Sequence, residues 1–344
     1  MAPPLAGQAA QRLRYSQLSM MSFVLPFVPF VLCFLLWAAP RAAAQAALRL
    51  DVAPQFSFVA YGDTRFTDPA NTDASNPVAR RELVSRIAAE RPGFILIGGD
   101  LVYKGDDAAD WTEFDAETAG WRGAGIPVYP AIGNHEVKGN EQAGLSYYFA
   151  RFPELRRSRF YSLRAGNLLL LVLDSNLDEN SGPQGEWLGQ ELSHVPADVK
   201  FVIVVMHHPP LTSALDKNSP AHLPEIRPGE AELARRIEQA QSQSEARFIV
   251  IAGHVHNYER HARNGVVYLV SGGGGAHANP IHRNIDDPYT DTGVNYHYLL
   301  IEAQPSAIKI TMHKLSLEAG QALWTAPDDV TVAAKAAAHS AGNK

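Results

Sequence analysis

Seven short apolar runs, each stopping at a glycine or a polar cluster, constrain the fold of this chain more than any other feature. They read FSFVAYGD, GFILIGGD, IPVYPAIGNHE, NLLLLVLDSN, KFVIVVMHHPP, RFIVIAGHVH and VVYLVSGGGG. Runs of this kind are typical of strands that are buried on both faces. RFYSLRAGNLLLLVLDSN reads as two strands joined through AGN, so part of the sheet is predicted to be antiparallel.

Helical stretches lie between several of these strands. NPVARRELVSRIAAERP offers Asn76 as a cap and Pro77 in the first turn. Its predicted apolar face consists of Val78, Leu83, Val84 and Ile87. A second helix is predicted from Glu230 to Ala240. Strands that alternate with helices predict an α/β domain with binding groups at the carboxyl ends of the strands.

The N-terminal 44 residues differ in kind from the rest. Residues 20–39 are almost wholly apolar, follow Arg12 and Arg14, and lead to an A-x-A site at residues 42–44. This pattern predicts a secretory signal peptide over residues 1–44, and therefore a secreted or periplasmic protein. The alternative is an uncleaved N-terminal membrane anchor, although Pro26 and Pro29 interrupt the apolar run.

The remaining chain reads as one globular unit. The full chain has 46% hydrophobic residues, 19% charged residues, a net charge of −6 and no basic run, so no nucleic-acid binding is expected. Cys33, the only cysteine, lies in the N-terminal segment, which excludes disulfides and thiolate ligands from the mature chain. We predict a single domain over residues 45–325 and a disordered tail over residues 326–344.

Residues able to bind a metal follow five of the predicted strands. They are Asp63, Asp100, Asn134 with His135, His207 with His208, and His254 with His256. Each has an ordinary explanation on its own, as a helix cap, a turn or a polar loop. In this order and at one edge of a sheet, they predict a metal site. Because side chains alternate along a strand, His254 and His256 are expected to face the same way.

The motifs GDTR, GGD, GNHE, VMHHP and GHVH resemble those of the calcineurin-like metallophosphoesterase superfamily. Arg65 departs from the pattern, since it occupies the usual place of a histidine ligand and guanidinium cannot coordinate a metal. GGDLVYKG and GHVHNYER look like the purple acid phosphatase branch, which implies that Tyr103 binds Fe(III) as a phenolate. A hard trivalent ion favours such an anionic oxygen. Packing, or a hydrogen bond to a neighbouring group, is the alternative role for Tyr103.

The resemblance implies a centre of two metal ions, Fe(III) with Zn, Mn or Fe(II). One ion would be held by Asp63, Asp100, Tyr103 and His256. The other would be held by Asp100, Asn134, His207 and His254, with Asp100 as the bridging ligand. It also implies a four-layer αββα sandwich, with two mixed sheets flanked by helices and the dimetal site at the strand carboxyl ends.

Five further residues and one glycine-rich segment could assist the centre. His135 is expected to bind the phosphate or to act as general acid, and His208 to touch substrate or to be a loop histidine. Arg65 could bind a phosphate oxygen or pair with a carboxylate. Glu136 and Glu259 are expected to orient ligand histidines. SGGGGAH is either a flexible turn or a close backbone approach to the metals.

The expected function is an exported metal-dependent phosphoesterase that hydrolyses small phosphate monoesters by attack of a metal-bound hydroxide. A phosphodiesterase of the same superfamily is the first alternative. The second alternative is a noncatalytic metal- or phosphate-binding module at the cell surface. The motifs do not separate these functions, because the loops that select the substrate vary. The sequence leaves the oligomeric state open, and membrane contact is expected only through an uncleaved N-terminal segment.

Overall fold

The computed structural model describes residues 45–215, 226–283 and 287–336. The strands in these ranges are β1 (Ala46–Leu50), β2 (Phe56–Tyr61), β3 (Ile95–Ile97), β4 (Val128–Pro130), β5 (Tyr161–Ala165), β6 (Leu168–Val172), β7 (Phe201–Met206), β8 (Arg247–Ala252), β9 (Tyr258–Arg263), β10 (Val266–Ser271), β11 (Tyr296–Ala303), β12 (Ala307–Glu318) and β13 (Gln321–Ala333). The helices are α1 (Pro77–Glu90), α2 (Ala108–Glu117), α3 (Ala119–Gly123), α4 (Asn134–Val137), α5 (Glu141–Arg151), α6 (Gly182–Ser193) and α7 (Pro228–Gln243), with a 3₁₀ turn at Pro153–Leu155.

Two mixed sheets form the centre of the fold. Sheet A has the order β1-β5-β6-β7-β8-β10-β9, and sheet B has the order β13-β12-β11-β2-β3-β4. In sheet A the β5–β6 and β10–β9 pairs are antiparallel and the other pairs are parallel. In sheet B, β2, β3 and β4 are parallel, while the β11–β2, β11–β12 and β12–β13 pairs are antiparallel. The antiparallel β5–β6 pair predicted from RFYSLRAGNLLLLV is confirmed.

The apolar runs are continuous because each central strand of sheet A is covered on both faces. In β6, Leu168 and Leu170 belong to a core that also contains the residues of sheet B, such as Phe58. Leu169 and Leu171 belong to a second core, which they share with helices α6 and α7. Helix, sheet, sheet and helix therefore form successive layers, and the predicted four-layer sandwich is confirmed.

Helix α1 begins where the sequence predicts, and three of the four residues of its predicted apolar face are buried, namely Leu83, Val84 and Ile87. The side chain of Asn76 accepts hydrogen bonds from the backbone amides of the first turn, and Pro77 is the first helical residue. Leu83 is fully buried as expected, but Val78 is 48% exposed and Arg80 is buried in its place. Positions 80, 83, 84 and 87 recur at the spacing of one helical face, whereas the apolar residue at position 78 lies off that face.

The prediction that a disordered tail begins at residue 326 is wrong. Strand β13 continues to Ala333 and pairs with β12 as far as Ala307. Asp328, within β13, attaches this strand to the neighbouring sheet. Its carboxylate accepts hydrogen bonds from the Tyr258 hydroxyl at 2.7 Å and from Arg260. The APDD stretch within the strand interrupts the alternation by which a strand is recognised. Residues 337–344 lie outside the described residues.

The predicted signal peptide or anchor, residues 1–44, also lies outside the described residues. Within the described ranges, no helix combines the length and the apolar character that a membrane crossing requires.

Candidate metal centre

All the residues that the sequence singled out as ligands lie beyond the carboxyl ends of parallel strands. Asp63 follows β2, Asp100 follows β3, and Asn134 opens α4 after β4, so sheet B contributes three. His207 comes directly after β7 and His254 follows β8, so sheet A contributes the facing side. The two parallel parts of the sheets therefore bring these side chains to one edge of the sandwich.

The prediction that strand alternation makes His254 and His256 face the same way is wrong. Strand β8 ends at Ala252, and His254 has a left-handed φ of 69°, so both histidines lie on a tight loop and not on the strand. His254 points toward Asn134 and His207, whereas His256 points toward Asp63. The loop, and not strand alternation, directs the two rings into two adjacent parts of the site.

One part of the site, the histidine half, is built from Asp100, Asn134, His207 and His254. The Nε2 atom of His207 lies 2.9 Å from Oδ1 of Asn134 and 3.2 Å from both Oδ1 of Asp100 and Nδ1 of His254. Nδ1 of His254 is also 3.2 Å from the Asn134 oxygen. Atoms that share one first-row metal ion at about 2.0–2.2 Å are spaced by roughly 3 Å, so this half has the spacing of a ligand set.

The other part, the carboxylate half, contains Asp63, His256 and the second oxygen of Asp100. Oδ2 of Asp63 accepts a hydrogen bond from the backbone amide of His254 at 2.9 Å. Oδ1 of Asp63 is buried without a hydrogen-bond partner among the described residues and lies 3.5 Å from Nε2 of His256. A buried carboxylate oxygen left in this way is costly unless a cation or a proton satisfies it.

Each of two histidine rings donates a hydrogen bond on the side that faces away from the site. The other ring nitrogen therefore directs its lone pair into the site. Nδ1 of His207 donates to the Gly98 carbonyl at 2.9 Å, and Nδ1 of His256 donates to the His277 carbonyl at 2.7 Å. In the neutral ring the proton is then on Nδ1, so both Nε2 atoms face inward as acceptors. Each inward Nε2 meets another acceptor, on Asn134 or Asp63, and a cation between them resolves the conflict.

Burial and neighbouring charges also shift the pKa values of these histidines and of Asp63. Burial lowers the pKa of His207 to about 4, although the negative charge of Asp100 works against this. Burial, followed by the nearby Arg65 charge, lowers the pKa of His256 to about 3. Burial and then repulsion by Asp100 raise the pKa of Asp63 well above its usual value. The histidine rings are therefore neutral, as metal binding requires, whereas Asp63 tends to hold a proton that a bound cation would displace.

Strained backbone is concentrated in this region. Nine residues other than glycine have a positive φ in the described chain, and four of them are Asp63, Arg65, Asp100 and His254. Such conformations persist only where the surroundings impose them, and they cluster at functional sites. The donor set, its spacing and this strain all fit a metal centre, so the residues present suit the ions that the motifs imply.

Tyr103 lies beside the centre, next to His135. Their ring centroids are 5.6 Å apart, and the Tyr103 carbonyl lies 2.5 Å from Nδ1 of His135. The phenol is partly buried. Coordination of an ion by this phenol stays a prediction.

His135 and His208 lie beside different ligands, His135 next to Asp100 and His208 next to His254. With its Nδ1 bound to the Tyr103 carbonyl, His135 turns Nε2 toward Oδ2 of Asp100 at 3.8 Å. The ring of His208 lies 4.4 Å from that of His254, and its Nδ1 is 2.8 Å from the Ser175 hydroxyl. Burial lowers the pKa of both His135 and His208.

Arg65 pairs with a carboxylate, which is one of the two roles foreseen for it. Its Nη2 lies 3.2 Å from Oδ2 of Asp100, the oxygen that the histidine half does not use. Its Nε is buried and has no hydrogen-bond partner within the described ranges. The side chain is 18% exposed, so the guanidinium borders the site and part of it reaches the surface.

Glu136 and Glu259 do not orient ligand histidines, contrary to expectation. The carboxylate of Glu136 accepts hydrogen bonds from the backbone amides of Asp100, Leu101 and Gly133, so it shapes the Asp100 loop. Burial, followed by repulsion from Asp100, raises the pKa of Glu136 to about 8. Glu259 accepts from the backbone amide of Ser213 at 2.6 Å and so anchors the loop that follows His208. Both act on the backbone, where sequence spacing carries no signal.

Two supporting features were missed or left open by the sequence. Arg80 in α1 donates to the carbonyls of Arg65 and Thr67 and to both oxygens of Glu117, thereby holding the Asp63 loop. Its buried position in the helical stripe was the available signal. The glycine run is a close approach: a Cβ at Gly272 would lie 2.8 Å from Oδ2 of Asp63.

Comparison with known proteins identifies the class to which this fold and site belong. The family model of the calcineurin-like phosphoesterases matches residues 56–258, and the chain belongs to that family. Purple acid phosphatase 15 of Arabidopsis thaliana is 30% identical over 179 residues, which cover 47% of this chain and 32% of the relative. A phosphoenolpyruvate phosphatase of Allium cepa is 27% identical over 199 residues, covering 52% of this chain and 38% of the relative.

A solved structure shares the fold. Purple acid phosphatase PPD1 from yellow lupin seeds superposes with a TM-score of 0.63 at 20% identity, covering 82% of this chain and 54% of that one. The predicted resemblance to purple acid phosphatases is therefore confirmed. The matched region spans only about a third of the length of the two curated relatives.

Proposed function

We propose that this protein is a dinuclear metal-dependent phosphoesterase that hydrolyses small phosphate monoesters. The observation that supports it most is the convergence on Asp100 of two ligand groups, each with residues from both sheets. The family match and the phosphatase names of the relatives support the reaction class.

Two sets of residues would hold the ions, as the motifs imply. Asp63, Asp100, Tyr103 and His256 would hold Fe(III), and Asp100, Asn134, His207 and His254 would hold Zn, Mn or Fe(II). When bound, such ions supply positive charge for the phosphate oxygens and activate water near neutral pH. The mixed oxygen and nitrogen donors suit these metals better than calcium.

The chain's own residues have three tasks around the ions. Arg65 would bind a phosphate oxygen through its planar fork at the partly exposed side of the site. His135 would act as general acid from its imidazolium form, in which Nδ1 donates to the Tyr103 carbonyl and a second proton on Nε2 passes to the leaving oxygen. The negative charge of Asp100 favours that form of His135. His208, held by Ser175, would contact the substrate beside His254.

The decisive experiment compares a phosphate monoester with the matching diester. Residues 45–344, expressed with iron, zinc and manganese, should bind transition metal and should cleave an aryl phosphate monoester faster than the corresponding aryl diester. A preference for the diester would move the function to phosphodiester cleavage while leaving the metal site intact. Purified protein without bound transition metal after supplementation would refute the metal centre.

Asp100→Asn separates an enzyme from a noncatalytic binding module. Loss of the shared carboxylate should abolish nearly all turnover, whereas the control Asp198→Asn changes a side chain that is 74% exposed and should retain it. If wild-type protein binds metal but hydrolyses neither ester, the surface module becomes the better description.

We also propose export, with residues 1–44 acting as a signal peptide. The support is the arginine, apolar and A-x-A pattern of the sequence. Expression of the full chain followed by N-terminal sequencing of the exported protein should give a start at Gln45. A full-length protein in the membrane fraction would indicate an uncleaved anchor.

A further inference from the structure

The guanidinium of Arg65 lies where a second cation would bind Asp100. Both oxygens of this fully buried carboxylate are engaged: Oδ1 by the backbone amide of His135 at 2.9 Å and by His207, and Oδ2 by Arg65 at 3.2 Å. In the proposed function, on which this inference rests, Asp100 would be a ligand shared by both ions. The Asp100 oxygen that the histidine half does not contact is the one that Arg65 holds, so the guanidinium charge lies beside the carboxylate half.

The two halves of the site differ in this respect. The histidine half contains Asn134, His207 and His254, whose inward atoms lie within 3.2 Å of one another. In the carboxylate half, Oδ1 of Asp63 has no hydrogen-bond partner within the described residues, and a positively charged side chain borders the same space. A metal ion and a guanidinium that bind the same carboxylate oxygen repel each other strongly in a buried setting.

Arg65 has capacity for a different partner. Its Nε is buried without a hydrogen-bond acceptor in the described part of the chain, while the side chain as a whole is 18% exposed. The guanidinium fork binds an oxyanion through two parallel hydrogen bonds, of which Asp100 takes only one, through Nη2. A phosphate group at the mouth of the site would use both donors.

We propose that Arg65 competes with the second metal ion for Asp100. When a phosphate group binds Arg65, the guanidinium releases Asp100, and the metal ion binds more tightly in the carboxylate half. The histidine half then binds its ion first and the carboxylate half binds the second ion more weakly. Since coupling between two ligands is reciprocal, the second ion strengthens phosphate binding by the same factor.

Metal binding itself tests this, without reference to turnover. Isothermal titration of metal-free protein with zinc should show two sites of unequal affinity. Adding inorganic phosphate should tighten the weaker site about tenfold, the usual size of such coupling. In Arg65→Met, which keeps the apolar stem but lacks the charge, the weaker site should bind about tenfold tighter without phosphate, and phosphate should tighten it further by much less than in wild type, through its contact with the ions alone.

Two further variants serve as controls. Arg65→Lys retains a competing cation without the planar fork, so the weak second site should persist but its response to phosphate should shrink. Arg235→Met removes a charge whose side chain is 64% exposed on α7 and should titrate like wild type. Circular dichroism of each variant verifies the fold.

The outcomes distinguish failure of this inference from failure of the proposed function. Two zinc sites that are indifferent to phosphate, and unchanged in Arg65→Met, would overturn the competition and leave the dinuclear site standing. Absence of zinc binding at both sites in the wild type would overturn the proposed function, and the inference with it.

Discussion

Replacing Arg80 by methionine should destabilise the protein far more than removal of an ordinary charged side chain. The Arg80 side chain is 1% exposed and that of Glu117 is 6% exposed, so the two form a buried ion pair. The guanidinium donates to both Glu117 oxygens, at 2.8 and 2.5 Å, and to the carbonyls of Arg65 and Thr67, at 3.2 and 3.0 Å. Arg80→Met therefore leaves a buried carboxylate without its counter-charge.

The magnitude follows from that stranded carboxylate. Breaking a buried pair by removal of one partner costs about 3–5 kcal/mol. Urea denaturation of metal-free protein should therefore show a loss of this size in the free energy of unfolding. The double variant Arg80→Met, Glu117→Gln should recover part of the loss, because a neutral amide costs less to bury than a carboxylate.

Arg86→Met provides the matched control on the same helix. The Arg86 side chain is 45% exposed and pairs with Glu90 at 3.3 Å. A surface pair of this kind is worth roughly 0–1 kcal/mol, so its removal should change stability little. If Arg80→Met costs no more than this control, or if the double variant recovers nothing, the account of Arg80 as a buried clamp is refuted.

Three other predictions concern pH, packing and colour. Burial raises the pKa of Glu179 to about 7, so the folded state retains a proton that the unfolded chain releases, and the free energy of unfolding should fall as pH rises from the ordinary glutamate value to about 7. Glu179→Gln should reduce that fall, to which Glu136 and Asp63 also contribute, and be about 1–3 kcal/mol more stable than wild type at pH 8 in urea denaturation; an identical pH profile would contradict the assignment. Gly272→Ala should lower both stability and metal affinity, because the added Cβ would lie 2.1 Å from the Val255 carbonyl, whereas Gly120→Ala meets nothing within 4 Å and should be neutral or stabilising; equal melting temperatures for the two variants would disprove the close approach. If Tyr103 binds Fe(III), the oxidised iron-loaded protein should show a broad visible absorption band that disappears in Tyr103→Phe, and a colourless iron-loaded wild type would rule out the phenolate ligand.

The fold class was predictable because its central strands are buried on both faces. A run such as NLLLLV permits few alternatives, and a polar residue at its carboxyl end has a known place in an α/β sheet. The pairing of β2 with β11 was not predictable, because no local signal marks two strands about 240 residues apart. Strand β13 was missed because Pro327 and Asp328 interrupt its alternation, although the buried Asp328 is what fastens it.

The candidate site was predictable in its residue types but not in its internal arrangement. Metal-capable side chains can be read directly from the sequence, and their order along the chain places them at one edge. The left-handed backbone at His254 cannot be predicted from the sequence, because only a glycine would indicate such a conformation. Nor can the contact between Arg65 and Asp100, which depends on how two loops from adjacent strands meet in space.

The strand order of sheet B has a consequence for how the protein is made. Strand β2, which leads to Asp63, lies between β3, which follows it closely, and β11, which begins at Tyr296. During synthesis at the ribosome, one edge of β2 therefore stays open until the residues of β11 have emerged. Pairings of such long range form slowly and expose apolar strand edges while they wait. The metal-binding edge can be completed only late in synthesis, so the nascent chain is most exposed to aggregation just before its site can form.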